Sequence, residues 1–170
     1  MPLIVETGAV VANANSYASL DTVTAYHQAR GNSDWLHSSE DAEPAILRAM
    51  DYLESLPWIG KEYDGPVGAT GHQPLQWPRV RVVVNGYTWG CDEVPPQVVK
   101  ALCEAALIEL GNPGALAPEL ERGGMVLSES VDVISTTYAS GAPAGTAYNK
   151  VKQHLRGLLC SSNVMRLERG

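Results

Sequence analysis

The chain has no phenylalanine among its 170 residues, so Tyr, Trp, Leu and Val must supply its large core side chains. It is also short of charge. Only 18% of residues are charged, where about a quarter is usual for a soluble domain, and this suggests that part of the surface is covered by partners. Bases are the scarcer sign, with 12 Lys and Arg against 19 Asp and Glu and a net charge of −7. No two lysines or arginines are adjacent, so the sequence offers no basic run of the kind that grips a phosphate backbone. The acid excess reads either as simple solubility or as a surface that DNA passes without sticking. Cys91, Cys103 and Cys160 are odd in number and far apart, and they form no CxxC or Cys/His cluster, which argues against structural zinc. No stretch approaches the ~20 apolar residues that span a bilayer, and the opening MPLIVETGAVVANANSY lacks a basic n-region. The expectation is a reduced chain made in the cytoplasm, with no membrane contact.

Catalytic signatures are missing too. His27, His37, His72 and His154 are scattered, and there is no GxSxG, HExxH or Walker loop. Gly65, Gly68 and Gly71 follow Lys61 in the wrong order for a phosphate loop. Glu40, Asp41 and Glu43, like Asp92 and Glu93, stand at helix starts, where carboxylates complement the helix N-terminus. The expectation is therefore no enzyme, no metal and no cofactor.

What is present reads as a mainly α chain. Ser19 caps a first helix with Leu20, Val23, His27 and Arg30 on one stripe, stopped at Gly31. A second helix from about Asp41 to Pro57 turns Ile46, Leu47, Met50, Leu53 and Leu56 inward. From Trp58 to Glu93 repeated Gly and Pro exclude helix. There Arg79–Val84, Asn85-Gly86 and Tyr87–Trp89 read as strand, tight turn and return strand. Pro95-Pro96 opens the longest helix, apolar nearly all round and so central, with Lys100, Glu104 and Glu109 as its main charges. Val126–Tyr138 reads as one strand. Thr146 caps a last helix that buries Tyr148, Val151, Leu155, Leu158 and Leu159.

Residues 1–159 thus form a single domain of about four helices with a hairpin insertion around 60–92. Residues 160–170 form an extended tail. Trp77, Arg79, Arg81, Val83, Tyr87 and Trp89 are the candidate contacts to neighbouring subunits or a tail partner, because a lone hairpin with a valine edge is marginal in water and invites pairing. Trp77 and Trp89 beside Arg79 and Arg81 are also the local set suited to stacking single-stranded bases, while the competing reading makes both tryptophans anchors of the hairpin. In the tail, Val164, Met165 and Leu167 are candidate apolar anchors, with Arg166 and Arg169 to pair acids of a docking partner.

IVETG at Ile4–Gly8, ANSYASL at Ala14–Leu20, AILRAMDYLE at Ala45–Glu54, LQWPR at Leu75–Arg79 and DEVPPQVVKALCEAAL at Asp92–Leu107 occur in this order. ERGG at Glu121–Gly124, YASGAPAGTAY at Tyr138–Tyr148 and VMRLERG at Val164–Gly170 follow. Together they resemble a family of tailed-bacteriophage virion proteins, head–tail connector (adaptor, or head-completion) subunits, whose members often carry the label DnaT-like single-stranded-DNA-binding protein. The chain departs from the family's pattern at Asn149, where a Pro is expected, and in a longer loop at Gly65–Gly71. The resemblance implies a structural virion subunit of the neck. It implies a homo-oligomeric ring of about twelve copies that binds the portal protein and a downstream tail or neck protein, with double-stranded DNA passing through the lumen without tight binding. The label implies the alternative, a single-stranded-DNA-binding replication module.

Overall fold

The computed structural model describes residues 2–36, 40–63, 73–118, 128–131, 134–137 and 148–160. It is mainly α with small β excursions. In chain order the elements are α1 (Leu20–Gln28), α2 (Ser33–Leu36), α3 (Ala42–Glu54), β1 (Lys61–Glu62), β2 (Arg79–Val80), β3 (Val83–Val84), β4 (Tyr87–Thr88), α4 (Pro96–Gly111), β5 (Ser128–Val131), β6 (Ile134–Thr137) and α5 (Asn149–His154).

The Ser19 side chain accepts the Thr22 N–H and starts α1, as the sequence predicts. Its inward stripe is Val23 and His27. The α2 turn is unexpected from sequence. Its Trp35 is buried, its ring lies against His27 with centroids 4.8 Å apart, and its indole N–H donates to Thr24 Oγ1. α3 buries Ile46, Met50 and Leu53 as expected, together with Ala42, Ala45 and Ala49.

Pro95 and Pro96 open α4, whose inner face is built from Val98, Ala101, Leu102, Cys103, Ala105 and Ala106. α3 and α5 both pack on it, and the alanines on α3 and α4 let the helices approach closely. Val151, Leu155 and Leu158 close the core from the α5 side.

Two of the three main charges of α4 are inside. Glu109 is buried and anchors the loop after the helix: Arg48 Nε donates to Oε2 at 3.1 Å, Gly114 N–H to Oε2 at 2.7 Å and Leu116 N–H to Oε1 at 3.0 Å. A carboxylate that would cost several kcal/mol unpaired is held by three donors. Glu104 is buried as well.

The expected strand Arg79–Val84 is broken in two. Arg79–Val80 pairs antiparallel with Lys61–Glu62, and Val83–Val84 pairs with Tyr87–Thr88. The break is at Arg81, whose φ of +60° no strand can hold. Asn85 and Gly86, with φ of +52° and +81°, make the tight turn their sequence predicts. In place of one strand, Ser128–Val131 and Ile134–Thr137 form two, paired antiparallel from Ser128↔Thr137 to Val131↔Ile134. The predicted cap Thr146 lies outside the described residues, and α5 begins at Asn149.

After α5 the chain returns beside the end of α3. Cys160 N–H donates to Pro57 O at 2.7 Å and Ile59 N–H to Leu158 O at 3.0 Å. This return places α5, the turn after α3 and the β3–β4 hairpin next to one another.

Candidate functional site

The residues singled out in the sequence divide into an interior pair and a surface group. Trp77 is fully buried, edge-on to Trp58 with centroids 5.7 Å apart. Its backbone N–H donates to the Tyr17 hydroxyl at 3.1 Å, and that hydroxyl donates to Glu54. Glu54 Oε2 also accepts the Gln76 N–H at 2.7 Å. Burial raises the Glu54 carboxyl above its ordinary range, and burial together with the Glu54 charge raises the Tyr17 hydroxyl well above its own.

Arg79 is only 7% exposed. Its guanidinium is spent on the oxygens of Ile59, Gly60 and Gln76: Nε to Ile59 O at 2.8 Å, Nη2 to Gly60 O at 3.2 Å, and Nη1 to Gln76 O at 3.1 Å and Gln76 Oε1 at 2.7 Å. Trp77 and Arg79 are therefore not on the surface a partner or a base would meet. The physical reason is that the turn before β2 needs a large apolar anchor and a donor for carbonyls that have left the helix ladder.

Arg81, Val83 and Tyr87 are outside, Val83 and Tyr87 being 55% and 58% exposed. Trp89 is half-buried and meets Tyr87 edge-on at 5.0 Å. The tail residues Val164, Met165, Arg166, Leu167 and Arg169 lie outside the described residues.

A second cluster is assembled by the helices and was not read from sequence. Of the twelve lysines and arginines, Arg122, Arg166 and Arg169 fall outside the described residues. Of the nine that remain, five (Arg30, Lys100, Lys150, Lys152 and Arg156) come from α4, α5 and the residues directly after α1 and α5. The hub is Tyr26. The Arg30 guanidinium lies over its ring, 3.4 Å from the centroid, while Arg30 Nη1 donates to Tyr26 O at 3.1 Å. The Tyr26 hydroxyl donates to Glu104 Oε1 at 2.8 Å, and its oxygen stands 3.5 Å from His154 Nε2. Lys150 Nζ is 3.8 Å from Glu104 Oε2.

Burial, the hydrogen bond to Glu104 and the Glu104 charge hold the Tyr26 hydroxyl well above its ordinary value, so it stays a donor. Burial lowers His154. The nearby Glu104 charge opposes that shift, while Lys100 and Arg30 add to it. Arg30 lies over the Tyr26 ring, Lys150 stands beside the Glu104 carboxylate, and Lys100 is one turn before Glu104 on α4.

The signal for this cluster is in the sequence as three i, i+4 pairs: Tyr26 with Arg30, Lys100 with Glu104, and Lys150 with His154. Nothing in the sequence says that these three faces meet.

Among the described residues no group of three His, Cys, Asp or Glu is placed to hold a metal ion, and no helix is long and apolar enough to cross a membrane. His27 is fully buried. Its Nε2–H donates to Cys103 O at 3.0 Å, and Nδ1 accepts from the Asn32 side chain at 2.9 Å. Burial lowers its pKa, which fits a neutral packing residue. Burial also pushes the Cys103 thiol up to about 12.

Comparison with curated proteins and with solved structures finds no match. The model of the family described as "Putative DnaT-like ssDNA binding protein" matches residues 1–170, and the chain belongs to that family.

Proposed function

We propose that the chain binds single-stranded nucleic acid, the ligand named in its family's description, through the face where α1, α4 and α5 meet. The observation that carries this reading is the Arg30 guanidinium stacked on Tyr26, with Lys150 beside the Glu104 carboxylate that accepts from Tyr26 and Lys100 one turn before Glu104 on α4, in a chain of net charge −7. Exposed cations beside an aromatic–guanidinium stack offer a strand phosphate contacts and a platform for a base, with no need for a groove shaped to a duplex. Of the acids, Glu43 and Asp51 stand on α3 and Asp92 and Glu93 before α4, Glu6 and Glu109 are turned inward, and Asp21 and Asp34 are exposed in the first turns of α1 and α2. The overall negative charge keeps affinity modest, in the ~10⁻⁴–10⁻⁶ M range usual for sequence-independent binding.

The test is a fluorescence anisotropy titration of labelled oligothymidylate at several salt concentrations. Binding at low salt should weaken with a log–log slope of about −2 to −3, the value for three or four phosphate contacts on a single strand. The double variant Lys100→Glu, Lys150→Glu should lose it. Absence of binding at low salt, or binding indifferent to that variant, contradicts the reading.

A second reading is favoured by the exposed β3–β4 edge at Val83 and Tyr87 and by the acid excess. It makes the chain a virion subunit at the head–tail junction, in a ring of about twelve copies between portal and tail, with the hairpin edge contacting a neighbour. Electron microscopy of the protein mixed with portal tests it. Rings on the portal would support it, and a portal that stays bare would not.

A further inference from the structure

The opposite flank of α5 holds a groove of about 430 Å³ that the cluster around Tyr26 does not use. Its volume is within the ~300–1,000 Å³ of small-molecule sites. Tyr52 from α3, Leu56 from the turn after it, and Leu155 and Leu159 from the chain after α5 give the apolar side, the larger part of the lining. Asn149, Lys152, Gln153 and Arg156 give the polar side. On α5 Asn149 and Gln153 are four residues apart and share one face, and Lys152 on the helix and Arg156 in the turn after it bring two cations to the same opening. Lys152, Gln153 and Arg156 are exposed, and Tyr52 is half-buried and lines the groove. The wall is fixed from behind by the Trp58–Leu159 bridge and the Cys160 N–H to Pro57 O bond.

An aromatic wall, two side-chain amides and two cations are the groups a nucleotide needs: a ring to stack on, donors and acceptors for a base edge, and positive charge for the phosphate. We infer that this groove seats one nucleotide of a bound single strand, its base against Tyr52 and its phosphate at Lys152 and Arg156, with the strand crossing α5 to the cations around Tyr26. The inference rests on the single-strand reading above. A purely apolar groove would suit a protein segment equally well. Here the two cations on the rim set the partner's charge as negative, and the paired amides suit a base edge better than leucine side chains.

Cys160 lines the groove and is exposed, while Cys103 is buried. Alkylation of Cys160 therefore reports occupancy directly, and mass spectrometry separates it from Cys91. Saturating oligothymidylate should slow Cys160 alkylation several-fold. The variant Tyr52→Leu keeps an apolar wall but removes the ring. It should weaken oligothymidylate binding about tenfold, the loss of one stacked base, and leave binding of an abasic strand of equal length unchanged. Lys152→Gln with Arg156→Gln should weaken both strands.

If the wild-type protein binds neither strand, the single-strand reading fails and the groove assignment with it. If both strands bind, Tyr52→Leu changes neither and Cys160 is not protected, the groove assignment alone is overturned. Protection of Cys160 by an acidic, leucine-containing peptide but not by the oligonucleotide gives the groove to a protein ligand and also overturns it.

Discussion

At the scale of single residues, the buried His27 and Glu109 each have a structural task. His27 is held neutral between the Cys103 carbonyl and the Asn32 amide, and burial depresses its pKa below the unfolded value. A depressed histidine pKa means that the unfolded chain binds the proton first. Its contribution to stability is therefore present above about 6.5 and is lost as pH falls through the folded value. Urea denaturation of wild type should show stability falling from pH 7 to pH 5, and His27→Gln should flatten that slope. His154 is depressed as well, so a residual slope should remain. An unchanged slope in the variant contradicts the assignment. Glu109 makes a larger contribution. Removing its carboxylate leaves the Gly114 and Leu116 N–H groups without their acceptor, and Glu109→Ala should cost about 3 kcal/mol. Calorimetry or urea denaturation reads that loss directly.

The role of Trp77 was harder to read at this scale. Its neighbourhood in sequence, with Arg79 two residues on, suits a binding site as well as an anchor. Only the tertiary contacts decide between them, because Trp58 and Tyr17 arrive from distant parts of the chain. Trp77→Ala should cost about 3–5 kcal/mol and is a test of the core, not of DNA contact.

At the scale of elements, the helices with local start and stop signals were legible. The Ser19 cap, the Pro95-Pro96 opening and the Asn85-Gly86 turn each dictate backbone geometry within a few residues, and each is found as read. Two features were not legible, for a common reason. The break at Arg81 depends on β2 pairing with β1 across an intervening segment, and the buried state of Glu104 depends on Tyr26 from another helix. Long-range partners overrode local propensity in both cases. The short α2 turn is held likewise by Trp35 packing on His27.

Gly157 joins two elements. It turns the chain after α5 with φ of +84°, and a Cβ there would stand 2.9 Å from Val84 Cγ1 of the hairpin. Gly157→Ala should destabilise by about 1–2 kcal/mol from the left-handed backbone alone. Because Val84 shares the hairpin with Tyr87, the same change should raise hydrogen exchange across residues 82–89. Protection equal to wild type there would mean that the hairpin does not lean on α5.

At the scale of the whole molecule, the decisive property is how charge is distributed rather than how much there is. Composition shows the −7 and nothing of its placement. The fold gathers cations from α4, α5 and the residues after α1 and α5 around one short helix and leaves much of the acid on α3 and the turn before α4. That asymmetry was invisible in sequence because its members lie far apart along the chain and meet only through helix packing. It gives binding a pH signature. His154 sits among Arg30, Lys100, Lys150, Glu104 and Tyr26, and its proton adds to the positive face only below its ordinary range. Oligonucleotide affinity should therefore rise as pH falls from 7 to 5, and His154→Gln should remove most of that rise.

The most direct measurement is the salt dependence of oligothymidylate binding by wild type and by the Lys100→Glu, Lys150→Glu variant, with Lys61→Glu, Arg81→Glu as a charge-matched control outside the cluster. The account predicts micromolar-range binding at low salt, a log–log slope of about −2 to −3, near-complete loss in the double variant, and little change in the control. Equal loss in variant and control, or no binding by wild type at low salt, would contradict it.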